Sequence, residues 1–212
     1  MSHDHAHSAT GKNRRALWIT FGLTFSFFAV EVIGAVWTGS LALFADAGHM
    51  LTDVAGIAFA LFASWIAQRP PSARKTYGYY RIEILAAALN AVILFFISGY
   101  ILYEAYRRFL TPPQIVSTPL LVISSLGLLV NVLGIFMLHR GSKESLNIEG
   151  AFLEVVSDAL GSVAVMIAAV VMMVTKWYYI DPIMAVFIGL FIIPRTWKLL
   201  MKAVNILMEG TP

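Results

Sequence analysis

The sequence predicts an all-α membrane protein of six transmembrane helices, with both termini in the cytoplasm. Three observations predict it. The first is composition: 59% of the 212 residues are hydrophobic and only 13% are charged, against about 25% charged in ordinary soluble domains. The mean hydropathy is +0.78. The second is continuity. The apolar residues form long unbroken runs, not the period-two alternation of barrel strands, so the spans are helices. The third is the distribution of Lys and Arg, which collect on one side of the membrane.

The runs lie at about Ala16–Trp37, Leu41–Ala67, Ile82–Tyr106, Thr118–Leu138, Ile148–Thr175 and Pro182–Met201, each near or above the ~20 residues that cross a bilayer as a helix. The connection Thr38–Ser40 is so short that the first two helices make a tight antiparallel hairpin. Pro70–Pro71 ends the second helix, Pro112–Pro113 separates the third from the fourth, and Gly141 opens the connection to the fifth. With the N-terminus inside, Lys12, Arg14, Arg15, Arg69, Arg74, Lys75, Arg81, Arg140 and Lys143 are cytoplasmic, and Arg195, Lys198 and Lys202 lie towards the inner end of the sixth helix. The outer side keeps only Arg107, Arg108 and Lys176, which fixes the orientation by the positive-inside rule. Trp177, Tyr178 and Tyr179 read as an interfacial belt.

Residues 1–15 form a polar tail and residues 16–212 the transmembrane domain, which leaves no room for a large soluble domain. The tail has no cleavable signal character, because the apolar run behind it is too long for an h-region. It carries His3, His5 and His7 and reads either as a disordered terminus or as a weak metal-collecting segment. Cysteine is absent, which excludes disulfides and thiolate metal sites. The net charge of +3 has the topological explanation just given, so it points to the lipid bilayer and not to nucleic acid.

The chemistry lies in the second and fifth helices. The stretch FADAGHMLTD places Asp46, His49 and Asp53 inside an apolar run. An ionisable side chain in a membrane is costly and reads first as a functional site with a partner. His49 and Asp53 stand at i and i+4, on one helix face. The fifth helix supplies a second such pair, Glu154 and Asp158. Ser40-Leu41, His49, Asp53 and Gly56 match Ser145-Leu146, Glu154, Asp158 and Gly161 at one common offset. That offset spans three helices, so the matched segments cross the membrane in opposite senses, as in transporters built from inverted repeats around a midplane site.

With the second and fifth helices facing, one imidazole and three carboxylates converge into a metal site. The set suits a divalent cation held tetrahedrally by protein ligands, as zinc is, and its oxygen donors also admit harder ions. Protons compete for the same lone pairs, which is the physical basis of metal–proton antiport. Interhelical hydrogen bonding explains a lone polar residue far better than two paired sets. No HExxH motif or nucleophile–base pair appears, and four convergent ligands leave no open catalytic position, so an enzyme is not expected.

The segments SLALFADAGHMLTD, YGYYRIEILAAALNA, SLNIEGAFLEVVSDALGSV and IIPRTWKLL look like the cation diffusion facilitator family, and within it the cobalt–zinc–cadmium resistance branch. The resemblance runs from about Leu17 to Gly210 with the motifs in order. It implies a homodimer and proton-coupled export of zinc and related ions, with no cofactor beyond the transported cation and the counter-moving protons. The family's transport positions fall on His49, Asp53, Glu154 and Asp158. Glu154 stands where many zinc members carry His and where the resistance branch carries Glu, so cadmium and cobalt are expected beside zinc. Members usually continue into a cytosolic ferredoxin-like domain, which is absent from this sequence. A family-like His-rich loop is also missing between the fourth and fifth helices, and the N-terminal histidines can take its place. A non-transporting metal sensor or partner subunit is the alternative.

Other polar residues fall within the spans. Asp46 reads as an acceptor that orients the His49 imidazole or as a residue of the ion pathway. Asn90 and Asn131 read as interhelical hydrogen-bonding groups, each commonly worth about 0.6 kcal/mol, with a pathway role open to them. Glu31 is a candidate for proton access.

Overall fold

The computed structural model describes residues 4–66, 80–139 and 146–208. Among these the chain forms six helices: α1 (Asp4–Thr38), α2 (Leu41–Ile66), α3 (Tyr80–Leu110), α4 (Ser117–Leu138), α5 (Leu146–Thr175) and α6 (Ile180–Leu207). Each contains a stretch long and apolar enough to cross a membrane, from Trp18–Thr38 in α1 to Ile180–Leu207 in α6. The helical fold class and the six spans are those the sequence predicts. His3, the proline pair 70–71, Arg69, Arg74, Lys75, Arg140, Gly141 and Lys143 lie outside the described residues.

The largest boundary difference is at the N-terminus. α1 starts at Asp4, ahead of the expected Ala16, so the residues 4–15 read as a tail continue the first helix. The physical reason is local. Ala6, Ala9, Lys12, Arg14 and Arg15 favour helix, no proline intervenes, and a helix nucleated by the apolar span propagates at little cost. The apolar part still begins at Trp18.

The chain divides into two compact units, one of Met1–Phe28, His49–Ile97 and Ile193–Pro212, the other of Ala29–Gly48 and Ser98–Ile192. In the first, α1 presents an aromatic ladder in which Phe21 and Phe25 stack at 5.8 Å and Trp18 meets Phe21 edge-on at 6.1 Å. α3 and α6 pack through Ile84, Ala88 and Ala203, and the rings of Phe95 and Trp197 approach to 6.3 Å.

The second unit contains all of α4 and α5. Its core mixes small and large side chains: Ala35, Ala42, Ala45, Ala47, Ala105, Ala164, Ala168, Ala169 and Ala185 are buried together with Leu43, Ile101, Leu120, Val165 and Met172, whereas Phe136, Met137, Val174 and Phe187 are exposed. Many alanines inside and bulky apolar side chains on the surface are expected when lipid surrounds the helices and close backbone approach drives packing. A side chain at Gly34 would meet Ile123 of α4 and Leu43 of α2, and one at Gly134 would meet Val155 of α5. Asn131 of α4 points its amide at the Ser162 hydroxyl of α5, 3.5 Å away.

α1 turns into α2 at Gly39, whose φ of 75° lies in the left-handed region. Its N–H donates to the Ala35 carbonyl at 2.9 Å, closing the helix end in the way glycine makes cheap. The Val116 N–H, just before α4, donates to the Thr38 carbonyl at 3.1 Å.

Candidate functional site

Glu154 and Asp158 stand one turn apart on α5, on the same face and partly buried. α5 forms through this polar pair because Leu, Ala, Val and Met surround it with good helix formers and no proline. One turn beyond Asp158 comes Gly161. A side chain there would collide with the Asp46 carboxylate of α2. α2 and α5 therefore meet closely at this level, and Asp46 occupies the space that glycine leaves open. Asp46 is only 6% exposed.

Glu31 of α1 joins the same neighbourhood. It is 3% exposed, its Oε2 has no hydrogen-bond partner among the described residues, and the charges of Asp46 and Asp158 act on it. Three residues singled out from the sequence, Glu31, Asp46 and Asp158, are thus drawn together from three helices, with Glu154 a turn away. Carboxylates buried side by side repel one another and are poorly solvated. Such a group is stable with a cation or with protons, and both are what it can bind.

His49 and Asp53 belong to the other unit. They lie one turn apart on α2, with His49 buried and Asp53 half-buried. Asn90 is half-buried on α3. His5 and His7 fall in the first turns of α1.

A second polar centre was not expected. Asp181, at the start of α6, is fully buried. Its carboxylate accepts hydrogen bonds from the Ser40 hydroxyl and from the backbone N–H groups of Leu41 (2.8 Å) and Ala42 (3.2 Å). Arg108 of α3 reaches it at 3.4 Å and donates to the Gly39 carbonyl at 2.6 Å. Sequence reading assigned Arg108 only a topological role. The available signal was the Asp-Pro pair opening an otherwise apolar helix.

A multi-pass, all-helical membrane protein with carboxylates buried within its spans is of the class that moves ions through its interior. The chain belongs to the cation efflux family: the model of the cation efflux transmembrane domain matches residues 17–208. It is 50% identical to the metal cation efflux system protein CzcD of Cupriavidus metallidurans, across 100% of this chain and 67% of the relative. It is 43% identical to the zinc transporter ZitB of Escherichia coli, covering 100% of this chain and 69% of that protein. It is 42% identical to a cadmium, cobalt and zinc/H(+)-K(+) antiporter of Bacillus velezensis, covering 100% and 68%. The chain therefore spans about two thirds of the length of these relatives. The family and the six spans make it a multi-pass protein of the cytoplasmic membrane.

Proposed function

We propose that this protein exports divalent metal cations from the cytoplasm in exchange for protons, by alternating access, with Zn2+ as cargo and Cd2+ and Co2+ accepted beside it. The metal is the transported substrate, not a resident cofactor. The ligands are His49 and Asp53 of α2 with Glu154 and Asp158 of α5. The names of the relatives, which speak of zinc, cadmium and cobalt, support the choice of cargo.

The observation that carries this reading is the contact of Asp46 with Gly161. It brings α2 and α5 together one turn from Asp158 on α5. The internal repeat supports the ligand set, since it matches His49 with Glu154 and Asp53 with Asp158. Together the four proposed ligands offer one imidazole and three carboxylates.

Asp46, a turn outward of His49, orients the imidazole or receives the ion on its way out. The carboxylate donors bind protons as readily as metal when the site opens to a more acidic outer solution, and protonation displaces the cation. The filled coordination shell and the absence of a nucleophile–base pair support a carrier rather than an enzyme. A homodimer is the proposed assembly.

The test is flux in reconstituted vesicles with a pH gradient. Zinc moves in the native protein, and Asp53→Ala and Asp158→Ala each abolish movement. Undiminished flux in either variant refutes the ligand assignment. Metal binding without flux in the native protein identifies a sensor or partner subunit instead, and hydrolysis of a peptide or lipid without flux identifies an enzyme.

A further inference from the structure

Asp181 does something other than fill space. α2 already has its own cap: the Ser40 hydroxyl accepts from the Leu43 N–H at 3.1 Å, the usual arrangement for a serine at a helix start. The first two free N–H groups of the helix, Leu41 and Ala42, are satisfied from another helix, by Asp181. The same carboxylate holds the Ser40 hydroxyl and faces Arg108, which in turn grips the carbonyl of Gly39 and the carboxylate of Glu104. One charge pair, its carboxylate fully buried and its guanidinium partly so, thus ties the starts of α6 and α2, the end of α3 and the α1–α2 turn into a single knot. By the distribution of Lys and Arg this knot lies at the outer surface of the membrane.

We propose that Asp181, with Arg108 and Ser40, is the outer latch of the transport cycle: it holds the outward path shut by binding α6 and α3 to the α1–α2 turn, and the path opens when this tie is released. The inference rests on the alternating-access reading above. Three features distinguish a latch from a permanent brace. Every group that Asp181 satisfies is one that water at the membrane surface satisfies equally well, so release exchanges hydrogen bonds instead of losing them. α2 keeps its Ser40 cap when Asp181 leaves, so the helix survives the release. And the helix gripped is α2, which carries Asp46 and the proposed ligands His49 and Asp53. Separating α6 and α3 from its start uncovers the outward approach to Asp46, which lies in the same unit as the latch. Asp181 touches no cargo; it is a positioning residue.

The sequence contains no cysteine, so single reporters can be read without background. Ala185→Cys places a thiol on α6 one turn inward of Asp181, at a position that is 0% exposed. Ala88→Cys places one on α3 in the other unit, where the side chain is also buried. Cells carrying each reporter are treated, without added metal, with a membrane-impermeant maleimide. Adding Asp181→Asn to the Ala185→Cys chain should raise its labelling rate about ten-fold, the effect of removing one charge-assisted tie. The Ala88→Cys rate should not change. No rise at position 185 overturns the proposal. A rise at both positions also overturns it, because it shows general loosening of a brace.

A second measurement does not depend on Asp181→Asn folding well. In the Ser40→Cys/Asp181→Cys chain, oxidation to a disulfide should stop zinc flux and reduction should restore it; equal flux in both states refutes the latch. Labelling requires no metal movement, so the latch can fail while transport succeeds. Absence of flux in the native protein would overturn the transport reading while leaving the labelling result intact.

Discussion

Gly161 has no Cβ, and the Asp46 carboxylate lies where one would be. Adding a methyl group there forces Asp46 or α5 to move. Overpacking of this kind costs about 1–3 kcal/mol, so Gly161→Ala should lower the melting temperature in detergent and reduce zinc flux together. At its counterpart in the repeat, Gly56, a side chain would meet nothing within 4 Å among the described residues, and Gly56→Ala should be tolerated in both measurements. Equal damage from the two substitutions would show that the Asp46 contact is not what makes Gly161 necessary. Glu31, Asp46 and Asp158 make the opposite point about charge. Each is a carboxylate that a soluble protein would place in water, and here all three are buried or partly buried on neighbouring helices.

The elements divide by how they end. α1 ends on a left-handed glycine. α2 begins on a serine cap reinforced by a carboxylate from α6. Ser40→Ala removes the local acceptor for Leu43 and one donor to Asp181. The usual cost of losing such a cap is about 0.5–2 kcal/mol, and thermal unfolding should show a loss in that range with the helices otherwise intact. A loss near zero would mean that Asp181 alone caps α2. α6 carries Pro194 in its interior. The ring removes one N–H from the hydrogen-bond ladder of the helix.

At the scale of the whole molecule, the proposed cycle requires that metal and protons exclude one another. Zinc affinity measured on the purified protein should fall steadily as the solution is acidified, because each bound proton removes a lone pair from the cage. Titration calorimetry in buffers of different ionisation enthalpy should also show proton release on zinc binding. Binding that is indifferent to pH, with no proton released, would argue against coupled exchange at this site. Many alanines line the core of the second unit, where they permit close approach of the helices.

The helices were legible in the sequence because a bilayer admits few alternatives: about twenty apolar residues must form a helix, and proline or glycine must mark its limits. Glu154 and Asp158 were legible because an i,i+4 pair of acids in an apolar helix has few structural excuses. The start of α1 was missed, since polar residues with good helix propensity resemble a loose tail until a neighbouring span nucleates them. Asp181 was missed for a different reason. Its partners, Ser40, Leu41 and Ala42, lie about 140 residues earlier in the chain, and an acid at a helix start is ordinary by itself.

The sequence by itself determined the class, the spans, the orientation and the ionisable pairs, because hydropathy, period and charge asymmetry are local properties of the chain. Only the tertiary structure decided that Asp46 fits against Gly161, that Glu31 joins Asp46 and Asp158, and that Asp181 grips the start of α2. Those facts are contacts between helices, and they are fixed by which small residues permit close approach and which buried polar groups must find a partner.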